Sequence, residues 1–208
     1  MARDSGPQCK RCRREGMALY LKGARCNTVK CGVVKREYPP GEHAWRRGKA
    51  SEYGNQLREK QKLKRYYSVS ERQFRRYFAK ASRMKGNTGE NLLILLESRL
   101  DNVVYRLGIA RSHHEARQMV AHGHIFVNGR RFNIPSALLR KNDAIAPEKG
   151  EKFRNMIKAN MEATKELEQP SWLQMNAEQM EGVLLDAPKR AEVLLSVQEQ
   201  LIVEFCSK

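Results

Sequence analysis

Apolar positions along this chain change period several times, and each change predicts an element. Leu100, Val103, Val104 and Leu107 recur at i, i+3, i+4 and i+7, the repeat of a helix with one apolar stripe, and Gly108 supplies its stop. Ser112 and Glu115 form a capping box ahead of a second helix. Ala116, Met119 and Val120 give that helix its inner face, and Gly123 ends it. The period then drops to two. Ile125 and Val127 alternate with Phe126, and Asn128-Gly129 predicts a type I′ turn into a return strand opened by Arg130 and Arg131. Lys141-Asn142-Asp143 predicts another turn before Ala144-Ile145-Ala146. This stretch reads as a helix pair joined to a small antiparallel sheet with basic tips.

Upstream, Tyr38-Pro39-Pro40-Gly41 resists a helix and predicts an extended strap. Helical pattern resumes near Ser51, and Ser70 with Gln73 caps a further helix carrying Phe74, Tyr77, Phe78 and Ala81 as a core stripe. Met84 to Gly89 is a turn without the Gly and Lys-Ser/Thr spacing of a phosphate-binding loop. Downstream, Phe153, Met156, Ile157, Asn160 and Met161 predict a helix that Gln169-Pro170-Ser171-Trp172-Leu173 breaks. Leu201, Val203 and Phe205 alternate as in an edge strand or extended tail.

Charge sharpens this picture. The formal net charge is +17, all of it accumulated in residues 1–85, while residues 151–208 are acidic on balance. So localised an excess suits a polyanionic partner. The candidate phosphate contacts are Arg46, Arg47 and Lys49 after the strap, then Arg58, Lys62, Lys64 and Arg65, then Arg72, Arg75 and Arg76, with Lys80 and Arg83 also lying off the Phe74 stripe. Nucleic acid and an anionic membrane are both polyanions of that kind. No stretch of about 18 apolar residues offers a membrane span, and the N-terminus lacks the apolar core of a secretory signal, so no transmembrane helix and no oxidising compartment is expected, and no membrane is the expected partner.

Cys9, Cys12, Cys26 and Cys31 follow the spacing C-x2-C-x13-C-x4-C. Four thiolates at such spacing suit one tetrahedral, structural zinc ion, and nearby Lys and Arg would lower the thiol pKa values. The segment has few apolar residues with which to fold unaided. An iron–sulfur centre, two disulfides and four unconnected thiols are the alternatives. Cys206 stands apart, with packing as its expected role. His113, His114, His122 and His124 lack a carboxylate or thiol at ligand spacing and do not read as a metal site.

The segments "YPPGEH", "SEYGNQLREKQKLKRYYSVSERQFRRYFAKA", "ESRLDNVVYRLGIARSHHEARQMVAHGHIFVNGR" and "EQLIVEFCSK" resemble the bacterial-type S-four family of small-subunit ribosomal proteins across essentially the whole chain. The helix pair and hairpin resemble the RNA-binding module named after that family, and the four cysteines resemble its zinc-bearing branch. Cys206, in place of an aromatic, and residues 193–197, in place of a Pro-rich stretch, depart from the pattern.

The resemblance implies an α+β fold: an N-terminal zinc knuckle (1–45), an all-helical domain (46–95), the module and its extension (96–190), and a tail (191–208) that packs back on the helical domain. It implies a cytoplasmic, ribosome-bound structural protein and no catalysis. Its RNA would be the 5′ domain of 16S rRNA, bound directly and early so that assembly is nucleated. Further partners would be ribosomal protein S-five, other small-subunit proteins and mRNA at the entry channel, with a bearing on accuracy. Within the module, Arg99, Arg106, Arg111, Ser112, His113, Arg117, Arg130 and Arg131 would face RNA, His113 and Arg117 from the outside of their helix. An RNA-modifying enzyme carrying the same module, and a zinc-dependent nucleic-acid-binding regulator, are the competing classes.

Overall fold

The computed structural model describes residues 6–44, 51–164, 169–176 and 179–207. The chain divides into two compact units, one of residues 1–92 with 195–208 and the other of residues 93–194. The cysteine-bearing segment therefore clusters with the helical region rather than standing as a separate unit.

The first unit holds α1 (Gln8–Glu15), a one-turn α2 (Gly32–Lys35), α3 (Glu52–Tyr66), α4 (Glu71–Ala81), the start of α5 (Thr88–Glu97) and α9 (Glu199–Ser207). Serine caps start its two long helices: Ser51 Oγ accepts from Gly54 N–H and Ser70 Oγ from Gln73 N–H. Leu63, Tyr66, Tyr67, Val69, Phe74, Tyr77 and Ala81 make the helical core, joined by Leu195, Val197 and Ile202 from the chain's end. The strap after α2 is held by α1. Arg13 donates to Tyr38 O at 2.9 Å and Arg14 to Pro40 O at 2.9 Å, and the Arg13 guanidinium lies 4.7 Å from the Tyr38 ring centre.

The C-terminal residues correct one expectation. Leu201 to Phe205 form helix, not strand, because α9 has α3 to lie on. Gln56 donates to Glu204 at 3.0 Å, the Tyr53 and Phe205 rings are 5.3 Å apart, and the buried Lys60 ammonium sits 4.7 Å from the Phe205 ring centre. Helical spacing buries Ile202 on one side, which a strand's alternation of Leu201, Val203 and Phe205 would not do.

The second unit contains α6 (Leu100–Arg106), α7 (His113–Ala121), α8 (Glu151–Ala163) and an antiparallel sheet of β1 (Ile125–Val127), β2 (Arg130–Phe132), β3 (Ala144–Pro147), β4 (Leu173–Asn176) and β5 (Glu181–Leu184). Strand order is β2-β1-β3-β5-β4. Asn128 and Gly129 have φ of 50° and 76°, the left-handed pair that a type I′ turn needs, and they set the register Val127↔Arg130 and Ile125↔Phe132. One core joins Leu100, Val103, Val104 and Leu107 to Ile125, Ile145, Ile157, Trp172 and Leu184.

Strands β4 and β5 were not expected. They are four residues each, and β5 carries Gly182 where a strand reading wants a branched side chain. Packing explains that glycine, since a Cβ there would lie 2.4 Å from Leu107 Cδ1. Helices packed on an antiparallel sheet make this an α+β fold. Among the described residues no helix is long and apolar enough to cross a membrane.

Candidate nucleic-acid interface

α4 separates its two kinds of residue cleanly. Phe74, Tyr77 and Ala81 are buried, while Arg72, Arg75, Arg76, Lys80 and the following Arg83 are exposed. Arg72, Arg76 and Lys80 recur every four residues, so they form a cationic ridge along the helix. Among the described residues Arg75 alone of these reaches a carboxylate, Glu71 at 3.4 Å, and its side chain stays 78% exposed. The ridge is open to an external phosphate.

α3 differs. Its cations were candidates for the same role, yet each meets a carboxylate of the protein. Arg58 and Arg65 bind Glu15, Lys62 binds Glu59, and Lys64 shares Glu71 with Lys60. Lys60 and Lys64 hold the Glu71 carboxyl below its usual range although partial burial works the other way. Arg46, Arg47 and Lys49 lie outside the described residues.

In the second unit the structure turns several residues of the expected RNA face inward. Arg99 is fully buried, donating from Nε to Asp101 Oδ1 at 2.9 Å and from Nη2 to Oδ2 at 2.5 Å. Arg117 reaches the same carboxylate at 3.3 Å. Arg106, 4% exposed, grips Glu97 with two parallel bonds of 3.2 and 2.7 Å. Asn102 donates to the Glu97 carboxylate at 2.6 Å and to its main-chain oxygen at 2.9 Å, which leaves Asn102 Oδ1 facing His113 Nε2 at 3.0 Å.

That oxygen is an acceptor, so His113 carries its proton on Nε2. Burial, then Arg106, His114 and Arg99, hold the imidazole well below its ordinary pKa, so it is neutral at pH 7. Its ring also packs on Tyr105, with centroids 4.2 Å apart. His113 thus lies inside, not on the outer face of α7. Burial of one long stripe beside the acids Glu97 and Asp101 draws these groups inward, where each charge needs an internal counter-charge.

The exposed remainder of the unit is smaller. Arg130 stands at the hairpin tip, and Arg111, its side chain 52% exposed, pairs with Glu115 at 3.3 Å. Ser112 Oγ caps α7 by accepting from Glu115 N–H at 3.2 Å. Arg131 donates to Gly123 O at 2.8 Å and His122 O at 3.1 Å, closing the C-terminal turn of α7. His124 pairs with Glu148 at 2.6 Å. Glu97, Asp101 and Asn102 are the residues sequence reasoning passed over. The signal was present: Glu97 ends the largely apolar α5 nine residues before Arg106, and Asp101 follows Arg99 by two.

Cys9, Cys12, Cys26 and Cys31 all line one pocket between α1 and α2, and none is in a disulfide. α1 carries the first two, and Gly32 lets α2 approach Cys9 so closely that a Cβ would meet Cys9 Cβ at 2.7 Å. Lys22 N–H points to Cys26 Sγ at 3.4 Å. Burial pushes the Cys12 and Cys26 thiols up rather than down, and the neighbouring sulfurs add to it. Local cations do not reverse that shift. Among the described residues no three His, Cys, Asp or Glu side chains stand in a ready metal-binding arrangement. Convergence of the four residues on one pocket fits a shared ion.

Two family models cover most of the chain: the "Ribosomal protein S4/S9 N-terminal domain" matches residues 3–97 and the "S4 domain" matches residues 98–145. The chain is 54% identical over 208 residues, with all of both chains covered, to "Small ribosomal subunit protein uS4" of Thermodesulfovibrio yellowstonii. The same identity and coverage hold for the protein of that name from Halothermothrix orenii and for "Small ribosomal subunit protein uS4A" of Symbiobacterium thermophilum. With end-to-end likeness at this level and both family models matched, one over residues 3–97 and the other over 98–145, the chain belongs to the uS4 family of small ribosomal subunit proteins.

Proposed function

We propose that this protein is a structural constituent of the small ribosomal subunit that binds ribosomal RNA, with α4 as its principal phosphate-contacting face. The observation that carries the reading is the exposed ridge of Arg72, Arg76 and Lys80 in a chain alike from end to end to proteins named for that subunit. The role is scaffolding, not catalytic, and places the protein on ribosomes in the cytoplasm. The RNA is 16S rRNA, in its 5′ domain, bound early enough to nucleate assembly. Ribosomal protein S-five and incoming mRNA are the further partners. Sedimentation tests the reading: the protein travels with the small subunit and resists a moderate salt wash. A protein that stays in the soluble fraction of ribosome-competent cells sinks it.

One structural zinc ion belongs to the same proposal, held by Cys9, Cys12, Cys26 and Cys31. Supporting it are the convergence of those residues on one pocket and their free thiols. Zinc would supply a crosslink to a segment whose buried apolar side chains, among the described residues, are Leu19 and Leu21 beside two cysteines. Purified protein should contain about one zinc per chain, and Cys26→Ser should lose it and loosen residues 6–44 to amide exchange. Metal-free protein with the same exchange protection would remove zinc from the account and leave the RNA reading intact.

A further inference from the structure

Glu15 ends α1 three residues beyond Cys12, and its side chain is wholly shielded from solvent. Arg58 donates from Nη1 to Glu15 Oε1 at 3.4 Å, and Arg65 donates to the same oxygen. The other oxygen, Oε2, is buried without a hydrogen-bond partner among the described residues. Burial pushes the Glu15 carboxyl up in pKa even though Arg65, Arg58 and Lys62 all oppose it. The carboxylate is thus under-satisfied, and one of its oxygens receives both guanidinium groups.

Arg58 and Arg65 are seven residues apart on α3, hence on one face, with Lys62 between them. They are not sealed: 38% of the Arg58 side chain and 22% of the Arg65 side chain remain exposed. Two guanidinium groups converging on a single oxyanion from a partly open face is the arrangement that holds a phosphate oxygen. A carboxylate with one oxygen left over fits that place less well than a tetrahedral anion would.

We propose that Arg58 and Arg65 form an anion site that Glu15 fills from within, and that a phosphodiester of RNA occupies it once Glu15 is withdrawn. The packing of α1, the helix of Cys9 and Cys12, then sets how many cations α3 offers to RNA. This inference rests on the RNA-binding reading above.

The test is titration of the full chain against a transcript of the 16S 5′ domain over a range of salt. Wild type, Glu15→Gln and Glu15→Gln/Arg58→Gln/Arg65→Gln are compared, with thermal melts of each. Glu15→Gln should bind severalfold tighter at low salt. Its plot of log affinity against log salt should steepen by roughly 0.7–0.9 for each phosphate gained. The triple variant should lose that gain. Equal slopes for Glu15→Gln and wild type overturn the proposal whether affinity holds or falls, because Glu15 is then only an anchor for α1. A gain that survives loss of both arginines overturns it too, as a mere effect of net charge. Wild type that fails to bind the transcript refutes the RNA reading itself, a result the slope comparison cannot mimic.

Discussion

Glu97→Ala should melt the second unit more than about 10 °C below wild type. The substitution strands the Arg106 guanidinium, 4% exposed, with its two-bond partner gone, and it takes a carboxylate acceptor from Asn102. Breaking one side of a buried ion pair costs about 3–5 kcal/mol, since the remaining charge stays desolvated. Replacing both residues, as in Glu97→Met/Arg106→Met, should recover part of the loss, because the pair itself contributes little net stability. Arg106→Lys should also melt low, as an ammonium cannot make two parallel bonds to one carboxylate. Acid acts on the same cluster. His113 has a depressed folded pKa, so its contribution is present above the ordinary value of 6.5 and is eroded as pH falls below it. Differential scanning calorimetry at pH 7.5 and 5.5 reads both effects. Glu97→Ala with a wild-type transition would show that the network carries no stability.

How much of this was legible in the sequence follows the physics of each element. The hairpin was, because Asn128-Gly129 is a local requirement for two positive φ values that no distant residue overrides. The serine caps were legible for the same reason. The α9 helix was not: alternation over five residues fits a strand, and only the surface of α3 decides otherwise. Strands β4 and β5 were hidden because Gly182 answers a contact with Leu107, far away in sequence. At the candidate interface, counting cations named α3 and α4 alike, while the structure leaves the α4 cations exposed and pairs those of α3 with internal carboxylates. A sequence shows that Arg99 and Arg106 are charged, but not that Asp101 and Glu97 are already spending that charge inside the fold.

The ridge on α4 therefore gives the largest expected change in binding. Arg72→Gln/Arg76→Gln/Lys80→Gln should weaken affinity for the 5′-domain transcript on the order of a hundredfold at moderate salt, and flatten the salt slope by about two to three. The three side chains are exposed and repeat along one face, so each is placed to neutralise a phosphate and release its counterions. Glutamine keeps helix propensity, and Phe74, Tyr77 and Ala81 on the opposite side are untouched, so the melt should stay within about 0.5 kcal/mol of wild type. Lys62→Gln/Lys64→Gln is the matched control. Those ammonium groups already bind Glu59 and Glu71, with 15% and 20% of their side chains exposed, so removing them frees carboxylates more than it removes phosphate contacts. Its slope should change by less than that of the triple variant. Equal slopes for wild type and the α4 variant would move the interface off this helix and leave α3, with Glu15 displaced, as the face that meets the RNA.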